Sequence, residues 1–229
     1  LNILNVFNDR LTLSAFEVFS DLALQQVQAH RQLPAPLESR VENYALLEFD
    51  ESDLSSAEEA FVSCMDRGWL VDGVVSQSQA QAASLWQLRE GISESLAPHT
   101  PYKNDLSVRI SEVPAFLADV DRYVQEGYPG FEVCWYGHIG DGNLHLNILR
   151  PESMSVDEFF HVGHTMSPKI FERVQARRGS ISAEHGVGLL KRDFLGYSRS
   201  DEEIALMRGL KQVFDPEQIL NPDKLLPLI

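Results

Sequence analysis

Cysteine is scarce in this chain: only Cys64 and Cys134 occur in 229 residues, and they form no spaced framework. That excludes a disulfide-stapled fold and makes a reduced, cytoplasmic compartment the default. Basic residues are also few, 19 Lys and Arg against 34 Asp and Glu, for a formal charge of −15. Such a balance argues against nucleic acid or an anionic membrane as the main partner, although a local cationic pocket can still hold a small anion. No long uninterrupted apolar run is present, so no integral membrane segment is expected, and the first residues carry no basic-then-apolar leader pattern. Two catalytic signatures are missing as well. There is no His-Glu-x-x-His, and "HGVGLLKRDFLG" lacks the third Gly that a dinucleotide-binding turn needs. The chain opens at Leu1 without an initiator Met, which reads as a piece of something longer.

What is present alternates between two periodicities. Ser14 and Glu17 fit a capping box ahead of a helix carrying Phe16, Phe19, Leu22 and Val27 inward. Strands are expected at Asn43–Asp50, at Trp69–Val75 and near Asp105–Ile110. Helices are expected at "SSAEEAFVSCM" with Ser56 and Glu59 at its start, over Ser78–Leu96, near Val113–Gln125, over Val156–Arg177 and over Glu202–Phe214. "GSISAEHGVGLLKRDFL" reads as a short strand, a polar turn and a helix start. The fold class that follows is α+β: an antiparallel sheet with helices packed mainly on one face, plus C-terminal helices.

The stretch "GHIGDGNLHLNIL" carries the chemistry. Asp141-Gly142 is a hairpin signal, because both central positions of a type I′ turn need positive φ. A two-residue turn there, or a four-residue loop from Gly140 to Asn143, sets His138 opposite His145. Directly opposed residues have Cβ atoms about 4.5–5.5 Å apart, close enough for two imidazoles to share one ion. Alternation places Tyr136 and Asn147 on the same face and Trp135, Ile139, Leu144, Leu146 and Ile148 on the other.

A two-histidine site needs further ligands, and "SAEHG" offers Glu184 with His185 beside it. Two imidazoles and a carboxylate leave positions open for water or substrate. His161 and His164 share a helical face, but only Asp157 or Glu158 could join them, and they read as a solvated surface. Arg89, with Ser93 one turn later, and Lys103 could converge on a carboxylate, the Arg as a bidentate fork and the Lys as a point charge. Isolated Arg and Lys residues are more often simply solvated.

Three blocks in this order, "GHIGDGNLHLNIL", "SAEHGVGLLKRDFL" and "FDPEQILNPDKLLP", resemble the carboxyl-terminal half of FAD-linked oxidases of the vanillyl-alcohol-oxidase type that act on D-2-hydroxy acids. The likeness extends upstream through "SAFEVFSDLAL" and "SLWQLREGISESL" and so covers essentially the whole chain. It implies a ferredoxin-like cap domain over residues 1–200 that binds substrate and metal. Residues 201–229 would then form a helical tail returning to an amino-terminal FAD-binding domain not included here. His138, His145 and Glu184 match the family's divalent-metal ligands, usually zinc. Asn147 and His185 match substrate-contacting positions, with His185 as the catalytic base. Arg89, Ser93 and Lys103 match the cluster that holds the substrate, and Asn221 matches a position that approaches the flavin. The resemblance implies oxidation of a D-2-hydroxy acid to a 2-oxo acid, with electrons passing to an acceptor protein or quinone, and a mitochondrial location in eukaryotes.

Within that family "KRDFLGYS" and "NPDKLLP" most resemble the members that act on D-2-hydroxyglutarate, and the resemblance implies that acid as the favoured substrate. Asp223 stands where many relatives have Gly, a small departure; two others bear on which acid is taken, Ser93 where close relatives have Thr and a segment between Arg89 and Lys103 one residue shorter. D-lactate or glycolate oxidation is the nearest alternative. A flavin-free hydrolase or lyase using the same ions, and a non-catalytic metal-stabilised interaction module or homodimer surface, are the others.

Overall fold

The computed structural model describes residues 1–227. In chain order the elements are α1 (Asn2–Asn8), β1 (Leu13–Ser20), α2 (Asp21–Arg31), β2 (Asn43–Phe49), α3 (Leu54–Asp66), α4 (Gln79–Glu90) and α5 (Ile92–Ser95). They continue with β3 (Tyr102–Ser107), α6 (Val113–Gly127), β4 (Glu132–His138), β5 (Asn143–Leu149), α7 (Val156–Ala176) and α8 (Asp201–Phe214). The five strands form one sheet in the order β2-β1-β4-β5-β3, with every neighbouring pair antiparallel. The α+β antiparallel class is therefore the one expected. The two longest helices, α6 and α7, share one face, while α2, α4 and α5 cover part of the other.

Alternation along the strands decides what each face becomes. Phe16 on β1, Leu106 on β3, Trp135 on β4 and Leu144, Leu146 and Ile148 on β5 pack against Phe116, Val120 and Val124 of α6 and Phe159, Met166, Ile170 and Val174 of α7. The intervening strand residues point the other way. There Phe19, Tyr44, Cys134, Tyr136 and Leu149 meet Leu24 and Val27 of α2, Leu88 of α4 and Ile92 of α5. That second layer stops short of the β4–β5 turn, and the polar strand residues gather there.

Several local expectations are corrected. Residues 13–20 are a strand and not a helix: the run alternates Phe16 and Val18 against Glu17 and Phe19, and pairing with both β2 and β4 outweighs the apparent capping box. The cap lies one element later, where the Ser20 hydroxyl accepts from the Ala23 N–H and starts α2. Residues 69–75 form no strand. No neighbouring strand offers a ladder there, and Asp72 instead accepts from the backbone N–H groups of Ser39 and Gly73. The helix expected over 78–96 divides at Gly91, where a β-carbon would stand 2.6 Å from a Val27 methyl of α2. Near 180 there is only an isolated bridge, Ser107 to Ser180, followed by irregular chain and a 3-10 turn over Arg192–Tyr197.

The β4–β5 turn also differs in register. Tyr136, not His138, lies opposite His145, and Cys134 lies opposite Asn147. The connection is a 3-10 turn over Ile139–Asp141 closed by Gly142, whose N–H donates to the Ile139 carbonyl at 3.0 Å. Ile139 is buried in the core, and the Gly142 carbonyl accepts from Val108 N–H, so the loop is pinned at both sides. The displacement is two residues, so every side chain keeps its expected face. Gly142 has φ 72°, and a β-carbon there would lie 2.1 Å from the Val108 carbonyl oxygen. Gly142→Ala should therefore lose about 2–4 kcal/mol from combined backbone strain and collision. A fall in the urea midpoint at unchanged slope would show it; an unchanged midpoint would contradict this account of the turn.

Candidate metal and substrate site

Four strands and one loop build a polar cluster at the open end of the second face. β4 brings Tyr136 and His138, β5 brings Asn143, His145 and Asn147, and β3 brings Lys103 and Asp105. Asp105 stands opposite His145, and Lys103 opposite Asn147. Glu17 of β1 stands opposite His138. The loop after Ser180 then carries Glu184 and His185 over the top. It is held there by Asp105, whose Oδ2 accepts from the backbone N–H of both Glu184 and His185 at 2.9 Å. Lys191 ties the far side of the loop by donating to the Asp105 and Ile181 carbonyls.

His138, His145 and Glu184 converge. Glu184 Oε1 lies 3.1 Å from His145 Nε2 and 3.8 Å from His138 Nε2. The two imidazole centroids are 5.8 Å apart. Asn143 Nδ2 also donates to Glu184 Oε1, at 2.8 Å. Four-coordinate ligands on bonds of about 2.0–2.1 Å stand roughly 3.3 Å from one another, so these spacings bracket what one small cation requires.

Each histidine has a carboxylate behind its other nitrogen. His138 Nδ1 donates to Glu17 Oε1 at 2.6 Å, because a carboxylate can only accept, and this leaves Nε2 with a lone pair toward Glu184. His145 Nδ1 is 3.9 Å from Asp105 Oδ1, a buried oxygen with no hydrogen-bond partner. That orphan faces the Nδ1 proton that His145 must carry when Nε2 serves as a ligand, an electrostatic contact longer than a hydrogen bond. The residues present therefore fit a divalent cation of the zinc type.

Among the described residues, the group whose ligand atoms all lie within 4.8 Å of one another is Asp105, His145, Glu184 and His185, with His138 outside it. Within it, Asp105 Oδ2 is already committed to two backbone donors, and the His185 side chain is 67% exposed. This favours Asp105 as an anchor and leaves the His185 imidazole, stacked on His145 at 5.6 Å, free for other work.

The cationic residues collect next to this cluster. Arg89, buried at the end of α4, donates from Nε to Glu17 Oε2 at 2.7 Å and lies over the Tyr136 ring. Its terminal nitrogens make no hydrogen bond among the described residues. Lys103 Nζ donates to Ser93 Oγ at 3.3 Å, and burial raises the Tyr136 hydroxyl above its ordinary value while the neighbouring Ser93 and Asn147 side chains pull it back. Asn147 is buried with its Oδ1 unpartnered. Arg89, Ser93, Lys103 and Asn147 thus occupy one polar wall running away from the histidines. His161 and His164 lie on α7, against the opposite face, where His164 meets the Tyr102 ring edge-on. Asn221 stands apart, in the tail, its carbonyl accepting from Lys224 N–H. The same tail is attached to the Glu184 loop through Leu225 N–H to the Gly188 carbonyl and Arg192 to Asp223.

Glu17 and Asp105 are the two site residues that sequence reasoning missed. Each is a lone acid in an otherwise strand-forming run, "AFEVF" and "KNDLS". A buried charge on a strand face is costly without partners, and that is the signal that could have found them.

Electrostatics distinguish Asp105 from the imidazole it flanks. Burial alone would raise the Asp105 carboxyl, but the N–H donors of His185 and Glu184, with the His185 and Lys191 charges, outweigh it and hold it below its ordinary value. Burial pushes His145 down to about 4 against the pull of Glu184 and Asp105, so its imidazole is neutral at pH 7. The unfolded chain binds that proton near 6.5, the folded one near 4. This group's stabilising contribution is complete above about 6.5 and declines as pH falls through that window. In metal-free protein the His145 ring should therefore stay neutral at pH 5 in an NMR titration. Ordinary titration near 6.5 would show the pocket open to water.

The chain belongs to the FAD-linked oxidases, as their C-terminal domain: that family's model matches residues 2–225. Among its relatives, a D-2-hydroxyglutarate dehydrogenase of Stutzerimonas stutzeri is 54% identical over 226 residues, covering 97% of this chain and 49% of that protein. A second, from Xanthomonas citri pv. viticola, is 50% identical over 228 residues, covering 98% and 48%. A putative mitochondrial D-lactate dehydrogenase of Schizosaccharomyces pombe is 37% identical over 243 residues, covering 97% and 45%. The chain thus spans about half the length of these curated relatives.

Proposed function

We propose that this chain is the substrate- and metal-binding part of an FAD-dependent D-2-hydroxy acid dehydrogenase, with D-2-hydroxyglutarate as the favoured substrate. The observation that carries the reading is the convergence of His138, His145 and Glu184 on one small volume beside Arg89, Lys103 and Asn147 on the same sheet face. The family assignment supports FAD, and the names of the bacterial relatives support the choice of acid.

In this reading His138, His145 and Glu184 hold a zinc ion, which supplies Lewis acidity toward an alcohol. Bound FAD supplies the acceptor for two electrons. Arg89 binds one substrate carboxylate through its free terminal nitrogens, and Lys103 with Ser93 adds a second point of attachment suited to a diacid. Asn147 contacts the bound acid from the same wall, its amide NH2 able to donate to a substrate oxygen. His185, exposed above the cluster and adjacent to Glu184, takes the hydroxyl proton as general base. Tyr136, whose ring lies under the Arg89 guanidinium, supports that side chain from below and so helps to orient the bound acid.

The reading extends to the domain plan: residues 1–200 form the cap, and 201–229 a tail that docks toward an FAD-binding domain. The last two positions lie outside the described residues. A stripe on α8, Leu206, Leu210, Val213 and Phe214, is 60–78% exposed, which supports a docking role for that helix. No described helix is long and apolar enough to cross a membrane. An acceptor protein or quinone would take the electrons.

Metal analysis of the purified protein should find one zinc per chain, lost in His145→Ala and Glu184→Ala. His185→Ala should keep the zinc and lose turnover; loss of the zinc as well would make His185 a ligand. Arg89→Met should lower kcat/KM for D-2-hydroxyglutarate by about 30- to 1,000-fold, the equivalent of roughly 2–4 kcal/mol for a buried charge pair. A higher kcat/KM for D-lactate than for D-2-hydroxyglutarate in the unaltered enzyme would move the assignment to the lactate branch.

A further inference from the structure

Glu17 sits where the two halves of the site meet. It is 4% exposed, on the central side of β1, and its two oxygens are divided between two partners. Oε1 accepts from His138 Nδ1 at 2.6 Å, and Oε2 accepts from Arg89 Nε at 2.7 Å. The first contact fixes which nitrogen of His138 keeps a lone pair. The second holds the guanidinium by its inner edge, so that its outer edge is available. Among the described residues, no other side chain hydrogen-bonds or ion-pairs with both.

We propose that Glu17 is a positioning residue that couples the metal half of the site to the carboxylate half. It sets the His138 tautomer and the Arg89 orientation with one side chain. This inference rests on the function proposed above for His138 and Arg89, but its central statement, the tautomer, can be tested without metal or substrate.

Donor and acceptor counting gives the consequence of Glu17→Gln. The carboxylate offers an acceptor to each of two donors; the carboxamide has one acceptor and one donor group. Arg89 Nε always carries its proton, so the amide oxygen must face Arg89 and the amide NH2 must face His138. His138 Nδ1 then accepts, and the ring proton moves to Nε2, the atom aimed at Glu184. Shape and packing are nearly unchanged, yet the ligand lone pair is gone. Residues placed behind a metal-binding His in this way are worth about 10- to 100-fold in metal affinity.

The test compares wild-type and Glu17→Gln protein. Long-range 1H–15N spectra of zinc-free protein at pH 8.5 should place the neutral His138 proton on Nδ1 in the wild type and on Nε2 in the variant. Competition against a chromophoric chelator should show zinc affinity lowered 10- to 100-fold in the variant, with cooperative thermal unfolding retained. A wild-type His138 protonated on Nε2 overturns the proposal, and so does a variant that binds zinc within threefold of wild type. If the variant does not fold, the wild-type tautomer still decides. Zinc binding unaffected by His138→Ala would instead overturn the reading of the metal site, and the metal-free tautomer would judge Glu17 separately.

Discussion

Strand β5 is buried along its entire length, yet Asn143, His145 and Asn147 alternate along it as polar side chains, and the rest of the site is organised by that constraint. These three are largely withdrawn from water, and an unpaired buried polar group costs about 1–3 kcal/mol. Partners must therefore come from neighbouring strands and from the chain that crosses above them. β3 answers with Asp105 and Lys103, β4 with Tyr136 and His138, and the loop after Ser180 with Glu184. The opposite residues, Leu144, Leu146 and Ile148, lie in the main core, so the strand cannot rotate to relieve the polar side. Packing on one face holds the chemistry on the other in place.

The loop that carries Glu184 and His185 has no regular secondary structure to hold it. Its position comes from a few specific attachments: two N–H donors on Asp105, the Lys191 bridge to two carbonyls, and the Ser107–Ser180 bridge at its base. The tail beyond α8 adds Leu225 and Asp223 to the same segment. A carboxylate placed by such a loop is only as well positioned as its anchors. A chain of net charge −15 nevertheless sets Arg89 and Lys103 close together here, and each is partnered so that part of its capacity is left for a ligand. The global field would repel an anionic substrate, so this local arrangement has to supply the attraction.

Much of this was legible in the residues. The alternation in "GHIGDGNLHLNIL" assigned each residue to its face, because period 2 is a property of the extended backbone itself. Spacing and patterning likewise located β2, α6, α7 and α8 to within a few residues. The failures were all cases where a distant partner had the deciding voice. Residues 13–20 became a strand because β2 and β4 flank them, and residues 69–75 did not because nothing flanks them. The helix over 78–96 broke because α2 presses on Gly91. The β4–β5 register moved by two because Ile139 sought the core and Val108 took the Gly142 carbonyl.

Local backbone geometry and composition alone assign the face on which His138, His145, Tyr136 and Asn147 lie, the acidic character of the whole and the amphipathic helices that cover the sheet. Long-range packing was needed to set Glu17 behind His138 and Arg89, to make Asp105 the anchor of the Glu184 loop, and to bring these side chains into one cluster. Those contacts join residues 41 to 121 positions apart, and nothing in local geometry records a proximity that the antiparallel order of five strands creates.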